Sequence, residues 1–352
     1  MASHAGVSIA TVSRVLGGDP RVRPRTVERV LESARAVGYR LNGAARALAT
    51  RRHGSIGVVF PNLSGPYYAG VILGLEETAN AVGCSVLIAG THGRGGSEDL
   101  VRELATKVDG LVLFGRTVPD GLVAELVGRR VPVVLLARPQ AASAITVRAE
   151  NRRSAGALTA HLLGHGHERI AFIGDPGSSP DADERWTGYR DAHLAAGMGA
   201  PAEPDVCAFR EADGHRAARL ALSRRPAPTA LLCASDEIAM GAYAAAAELR
   251  LSVPGDVAIT GWDDIPVARF LSPPLTTVRQ PLTELGTRAA TLLLAAIDGE
   301  GGAGEETGEG AVATLATRIV IRGSCGCEVE KEGETTIRAA RPHLRGERFS
   351  IP

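Results

Sequence analysis

From Ser55 onward, apolar runs alternate with amphipathic stretches. The runs are residues 56–60 (IGVVF), 84–89 (CSVLIA), 110–114 (GLVLF), 131–136 (VPVVLL), 169–173 (RIAFI), 229–233 (TALLC) and 256–261 (DVAITG). Continuous apolar runs of this length mark strands buried on both faces. Their alternation with helical segments predicts an α/β body of parallel sheets covered by helices, built as two such units. Residues 299–310 (GEGGAGEETGEG) read as a flexible loop, and the charged, weakly apolar tail 328–352 reads as disordered.

The first 53 residues follow a helical period instead. Gly6-Val7-Ser8 is a turn that ends on an N-cap candidate, because a serine hydroxyl accepts from a free first-turn amide. A helix over 9–16 places Val12, Val15 and Leu16 on one face. Ala10, Ser13, Arg14 and Gly17 fall opposite, with Thr11 at the edge, and Gly17-Gly18-Asp19-Pro20 ends the helix. Pro24 opens a further helix with Val27, Val30, Leu31, Ala34 and Val37 on one stripe, stopping at Gly38. Residues 43–49 (GAARALA) form a short helix candidate that needs packing to hold in water, followed by a linker at 51–54.

Composition narrows the class. At 352 residues, with 45% hydrophobic and 22% charged, the chain is neither disordered nor collagen-like and is long enough for two or three domains. It has no apolar run of about 18 residues, and MASHAGVS lacks the basic and apolar regions of a secretory signal. Its five cysteines are scattered. Cys325 and Cys327, one residue apart, fit neither a redox pair nor a zinc knuckle. The expectation is a reduced, cytoplasmic protein with no membrane partner.

Charge separates the two regions. Net charge is zero, yet residues 1–53 hold ten arginines against three acids, so that segment carries +7 and the remainder −7. Such asymmetry suggests a nucleic-acid-binding head on a body that does not bind nucleic acid, though a basic solvated surface would look the same. No G-x-S-x-G elbow, Walker loop or H-E-x-x-H appears, so neither catalysis nor a cofactor is expected. His165 and His167 sit in a helix-to-strand turn with no third or fourth ligand nearby in sequence, and are read as structural, with no metal expected. No heptad repeat ends the chain.

The segment AGVSIATVSRVLGGDPRVRPRTVERVLESARAVGYRLNGAARALATRRHGSIGVVFP resembles the LacI (lactose repressor) family of transcriptional regulators. The resemblance runs from Ala2 to about Cys327 through Gly164-His165-Gly166-His167-Glu168-Arg169-Ile170, Glu184-Arg185-Trp186-Thr187-Gly188-Tyr189 and Pro273-Pro274-Leu275-Thr276-Thr277-Val278. It implies a helix-turn-helix head over 1–41 whose recognition helix is 9–16. Arg14 suits a bidentate bond to a guanine edge, Ile9 and Ala10 suit thymine methyls, and Ser8, Thr11 and Ser13 suit phosphates. It makes 42–53 a hinge helix and linker, with Leu48 a minor-groove wedge and Arg40, Arg46, Arg51 and Arg52 near DNA.

The resemblance gives the body, 54–327, two lobes like those of periplasmic binding proteins. Lobe 1 would span about 54–148 and 281–315, and lobe 2 about 149–280 and 316–327. A ligand would sit between them at the carboxyl ends of the strands. Tyr67 and Tyr68 are either ligand-stacking rings or helix-start packing. Arg185 matches the family's ligand arginine, and Ser235-Asp236 and Trp262-Asp263 match further pocket positions; either aspartate is alternatively a cap. Arginine and carboxylates bonding paired hydroxyls suit a sugar. Ala137, Glu150-Asn151 and Ser235 depart from common family residues, which leaves the ligand's identity open. A first helix shortened to Ala2-Ser3-His4-Ala5 implies a natural start upstream of Met1. The function implied is a ligand-responsive repressor of carbohydrate-utilisation genes, acting as a homodimer on double-stranded operator DNA. The alternative is a sugar-binding transport or receptor protein without a DNA role.

Overall fold

The N-terminal segment folds as α1 (Ala2–Ala5), α2 (Ile9–Leu16) and α3 (Pro24–Ala36). Residues 1–16, 19–38, 52–93, 95–299, 310–327 and 335–337 are described by this computed structural model. The 43–49 helix candidate, Arg40, Arg46, Leu48, Arg51 and most of the 299–310 loop therefore lie outside the described residues. One turn of helix suffices for α1 because Gly6 adopts the left-handed conformation at φ 61° and closes it. Ala5, Val12, Val15 and Val30 then form a small core. The predicted stripe on α3 is rotated: Leu31 and Val37 are 39% and 45% exposed, while Ser33 is buried at 3%. Ser33 Oγ lies 2.9 Å from His4 Nδ1, so α1 braces α3 through a polar contact that an apolar pattern cannot reveal.

The first lobe comprises β1 (Ser55–Phe60), α4 (Pro66–Ala81), β2 (Ser85–Gly90), α5 (Ser97–Ala105), β3 (Gly110–Phe114), α6 (Asp120–Gly128), β4 (Val133–Leu136) and β5 (Ile145–Ala149). The second begins with α7 (Arg152–Gly164), β6 (Ile170–Ile173), α8 (Pro180–Ala195), α9 (Glu211–Leu222), β7 (Ala230–Cys233), α10 (Asp236–Glu248), β8 (Ala258–Thr260) and β9 (Thr277–Arg279). The chain then returns through α11 (Leu282–Asp298) and β10 (Val312–Leu315) to the first lobe, and ends with β11 (Arg318–Ile321) and β12 (Thr335–Ile337) in the second.

The larger sheet is parallel, with strand order β10-β5-β4-β3-β1-β2. Alternate residues of one strand feed opposite layers. Val58 and Val112 pack under α4 and α11 with Val71, Leu75, Leu285 and Leu293. Val59, Leu111 and Leu113 pack under α5 and α6 with Val101, Leu122 and Leu126. The α4 and α11 backbones touch: a Cβ on Gly74 would lie 2.0 Å from Thr283 O, and one on Gly286 2.1 Å from Val71 O. The second lobe holds a parallel sheet β6-β7-β8 and an antiparallel one β9-β11-β12.

Five strands escaped the apolar-run reading. β5 and β10 carry polar alternation (ITVRA, VATL), and β10 lies at the sheet edge. β9, β11 and β12 belong to the small antiparallel sheet. The reading of 328–352 as a disordered tail is corrected at Thr335–Ile337. These three β-branched residues pair with Ile319–Ile321 and cover an edge that β11 would otherwise leave open. The remainder of that tail is outside the described residues. Among the described residues, no helix is long and apolar enough to cross a membrane.

Candidate functional site

A cleft of about 1080 Å³ opens between the lobes at the carboxyl ends of their parallel strands. Tyr67 and Tyr68, at the start of α4, form part of its first-lobe wall beside Phe114 at the end of β3. Both tyrosine rings meet Phe114 edge-on, at centroid separations of 5.9 and 5.5 Å, and Tyr68 also meets Phe60 at 5.3 Å. Packing and lining are thus not alternatives here: the same rings do both.

The second-lobe wall carries charge. Arg185, on α8, is 4% exposed, and its position is fixed on three sides. Its Nε donates to Asn151 Oδ1 at 2.8 Å and its Nη1 to Ala234 O at 2.7 Å. Its guanidinium carbon stands 4.5 Å from the centroid of the Trp262 ring, a cation–π contact. Trp262 is fully buried and outside the cleft lining, so it supports the arginine instead of facing the cavity. Asp181, one helical turn before Arg185, also lines the cleft, and its carboxylate lies 3.9 Å from Nη2.

Asp263 reaches the cleft from a strained backbone position, φ 113° on a non-glycine residue. Its Oδ1 accepts from Gln280 Nε2 at 2.6 Å. Burial pushes its carboxyl up to about 7, against the opposing pull of Arg185 and Gln280. Its side chain therefore faces the cleft instead of capping the following turn. The next residue, Asp264, turns away into ion pairs with Arg279 and with Arg322, the latter at 2.7 Å. Arg279 ends β9 and Arg322 follows β11, so Asp264 ties together the strand that leads out of the second lobe and the strand by which the chain returns to it.

Asp236 is a correction. It is fully buried, is absent from the cleft lining, and has both oxygens engaged. Oδ1 accepts from Thr277 Oγ1 at 2.6 Å and Oδ2 from Ile265 N at 2.9 Å. The cap of α10 is Ser235, whose Oγ accepts from Ile238 N at 3.2 Å while the residue lines the cleft. Glu237, one residue further on, lines the cleft as well and was not foreseen. Asn151 and Gln280 were not foreseen as the partners of Arg185 and Asp263; nothing in an isolated sequence pairs residues so far apart. Contacts among the described residues also bridge the cleft. Arg116 Nη1 donates to Gly177 O at 3.0 Å. Gly65, at φ 97°, approaches Glu237 so closely that a Cβ would fall 2.0 Å from Oε1.

In the head, Ser8 is the N-cap of α2: its Oγ accepts from Thr11 N at 3.1 Å and lies 2.9 Å from Thr11 Oγ1. Val12 and Val15 are buried, which turns Ala10, Ser13 and Arg14 outward. Ile9 is 80% exposed, a large apolar side chain held in water at the helix start. No acidic residue occupies that first turn, so its free amides and dipole favour an anion. Small, apolar and cationic groups on one exposed face match the edge chemistry of a DNA groove.

Residues 1–42 match the family model for bacterial regulatory proteins, lacI family, and residues 159–325 that for a periplasmic binding protein-like domain. The transcriptional repressor CytR of Escherichia coli (strain K12) is 33% identical over 332 residues, 92% of this chain and 94% of its own. A solved complex of the transcriptional regulator CelR with cellobiose shares 32% identity at a TM-score of 0.69, covering 92% of this chain and 98% of that one. The lac repressor dimer bound to operator and the anti-inducer ONPF shares 26% identity at a TM-score of 0.80, covering 92% and 97%.

Proposed function

The chain belongs to the lacI family of bacterial regulatory proteins, and on that premise we propose that this DNA-binding transcriptional regulator represses carbohydrate-utilisation genes under the control of a small sugar bound between its lobes. The observation that carries the reading is the cleft itself. Arg185 is immobilised by Asn151, Ala234 and Trp262 on one wall, with Asp263 nearby and Tyr67, Tyr68 and Phe114 on the opposite wall. Fixed charged groups bond hydroxyls directionally, and aromatic rings cover the apolar faces of a pyranose. That CelR is solved with cellobiose supports a saccharide.

DNA contact is assigned to Ile9, Ala10, Ser13 and Arg14 on the exposed face of α2, with Ser8 and Thr11 at its start. Arg40, Arg46 and Leu48 join them by resemblance alone. The protein acts in the cytoplasm as a homodimer, one head per operator half-site. Leu73 and Val82, at and just after α4, are 48% and 66% exposed. Ile88 on the edge strand β2 is 41% exposed, so the first lobe offers an apolar face for the partner subunit.

The sugar changes operator affinity only as far as it prefers one lobe arrangement over another. A gel shift with DNA from upstream of the protein's own gene, titrated with a panel of monosaccharides and disaccharides, tests the reading. A retarded band that one sugar weakens or strengthens supports it. Sugar binding by calorimetry without any retarded band would leave a transport or receptor protein instead.

A further inference from the structure

The carboxyl end of α7 meets the turn after β11, which brings two histidines against two cysteines at least 160 positions further along the chain. His161, on α7, and His165, its C-cap, are four apart and so share a face. Their rings meet at a centroid separation of 4.6 Å. After β11 the chain makes a short 3₁₀ turn over Gly323–Cys325, then reverses at Gly326, φ 91°, which brings Cys327 back beside the same helix. Cys325 Sγ lies 3.4 Å from His161 Nε2; Cys327 Sγ lies 3.6 Å from that atom and 3.3 Å from His165 Nε2. The donor atoms of His161, His165 and Cys327 all fall within 4.8 Å of one another. His167, the neighbour that sequence would pair with His165, is elsewhere, 3.2 Å from Thr229 Oγ1.

Hydrogen bonding accounts poorly for this cluster. An imidazole Nε2 has either one proton or one lone pair to offer, yet that of His161 faces two sulfurs. A single cation takes the facing atoms of His161, His165 and Cys327 at once. Zinc bonds imidazole nitrogen at about 2.0–2.1 Å and thiolate sulfur at about 2.3 Å, so a tetrahedral site needs nitrogen-to-sulfur edges of about 3.6 Å. The two contacts of Cys327 Sγ, 3.6 Å to His161 and 3.3 Å to His165, are already near that length. We propose that His161, His165 and Cys327 form a site for a thiophilic divalent cation, zinc foremost, with the fourth position of its tetrahedron open.

The surroundings agree with that use. Burial, aided by His165 and His167, lowers His161 to about 4, so its ring is neutral at neutral pH and keeps a lone pair to give. Burial and Cys325 raise Cys327 to about 12, a cost that a bound cation reverses by stabilising the thiolate. Cys325, whose Sγ donates to Arg322 O at 3.4 Å and accepts from Thr276 Oγ1 at 3.2 Å, stands beside His161 as an outer partner. The site lies inside the second lobe and away from the cleft lining, so its role is to fasten the chain's exit to α7. Metal binding to such a preformed site adds directly to the stability of the folded chain.

The test uses the full chain, reduced with a thiol-free reductant and stripped of metal by a chelator. Cobalt(II) titration should give one equivalent per chain, with a thiolate charge-transfer band and the visible bands of a tetrahedral ion. Zinc should displace it and raise the melting temperature. His165→Ala removes an exposed ring without disturbing the core, and should weaken zinc binding at least tenfold. Cys327→Ser should abolish the charge-transfer band, while His167→Ala should leave it intact. A chain that takes up no stoichiometric cobalt overturns the proposal. So does a band that survives both His165→Ala and Cys327→Ser, since the ion would then sit on another cysteine.

Discussion

Asp263 and Arg185 are held by opposite means, and that difference predicts how each responds to change. The Asp263 carboxyl, pushed up to about 7 chiefly by burial, keeps its proton in the folded protein through a range where an exposed carboxyl near 3.8 has lost it. Its contribution to stability is therefore fully present below about pH 4 and is lost as pH rises through 7. The melting temperature of Asp263→Asn relative to the parent should climb over that window; a pH-independent difference would contradict it. Ligand hydroxyls donating to Asp263 favour the carboxylate. Sugar affinity should thus fall as pH drops below 7, by up to about tenfold per unit, and Asp263→Asn should flatten that profile. Arg185 depends on shape. A lysine cannot bond Asn151 and Ala234 from one plane while stacking on Trp262. Arg185→Lys should keep the charge yet lose at least about tenfold in sugar affinity by calorimetry, with little change in operator binding. Retained affinity would mean that charge alone matters. The same residues show what a sequence can reveal of a site. Arg185 and Asp263 could be placed by resemblance. Asp236 could not be told from Glu237, because successive helical residues turn by about 100° and the helix start decides which one faces the cleft.

Elements were legible to the degree that both their faces are buried. β1, β3, β4 and β7 are apolar throughout because helices or lobe packing cover each side, and their runs stand out in the chain. β5, β10 and β11 alternate or mix polar residues, since part of each meets solvent, and no run announces them. The shared contact of α4 and α11 was equally silent. Glycines inside helices ordinarily cost about 1 kcal/mol relative to alanine, and only the structure shows that Gly74 and Gly286 allow the two backbones to touch. Gly286→Ala gains that propensity but puts a methyl 2.1 Å from Val71 O, a backbone atom that cannot swing aside. Overpacking of this kind outweighs the gain, so the variant should lose about 2 kcal/mol net, read as a lower urea midpoint. An unchanged or higher midpoint would show that the helices have room.

At the scale of the whole molecule, the proposed function has the cleft act on the operator through the arrangement of the lobes. Arg116 Nη1 on Gly177 O and Gly65 against Glu237 are contacts that exist when the lobes approach, and a ligand gripped from both walls reinforces that approach. If ligand and operator each favour one arrangement, thermodynamic linkage requires the effect to be reciprocal. The factor by which saturating sugar changes operator affinity must equal the factor by which saturating operator changes sugar affinity. Fluorescence anisotropy at one fixed salt concentration measures both, and salt must be fixed because an arginine-rich head makes operator affinity fall steeply with it. Arg116→Ala removes a cross-cleft bond without touching the head. It should weaken sugar binding and shift operator affinity together, leaving the two coupling factors equal to each other. A variant that loses sugar affinity while operator affinity stays fixed with and without sugar would show that Arg116 holds the ligand and not the lobes. The coupling would then have to run through the subunit interface instead of the cleft.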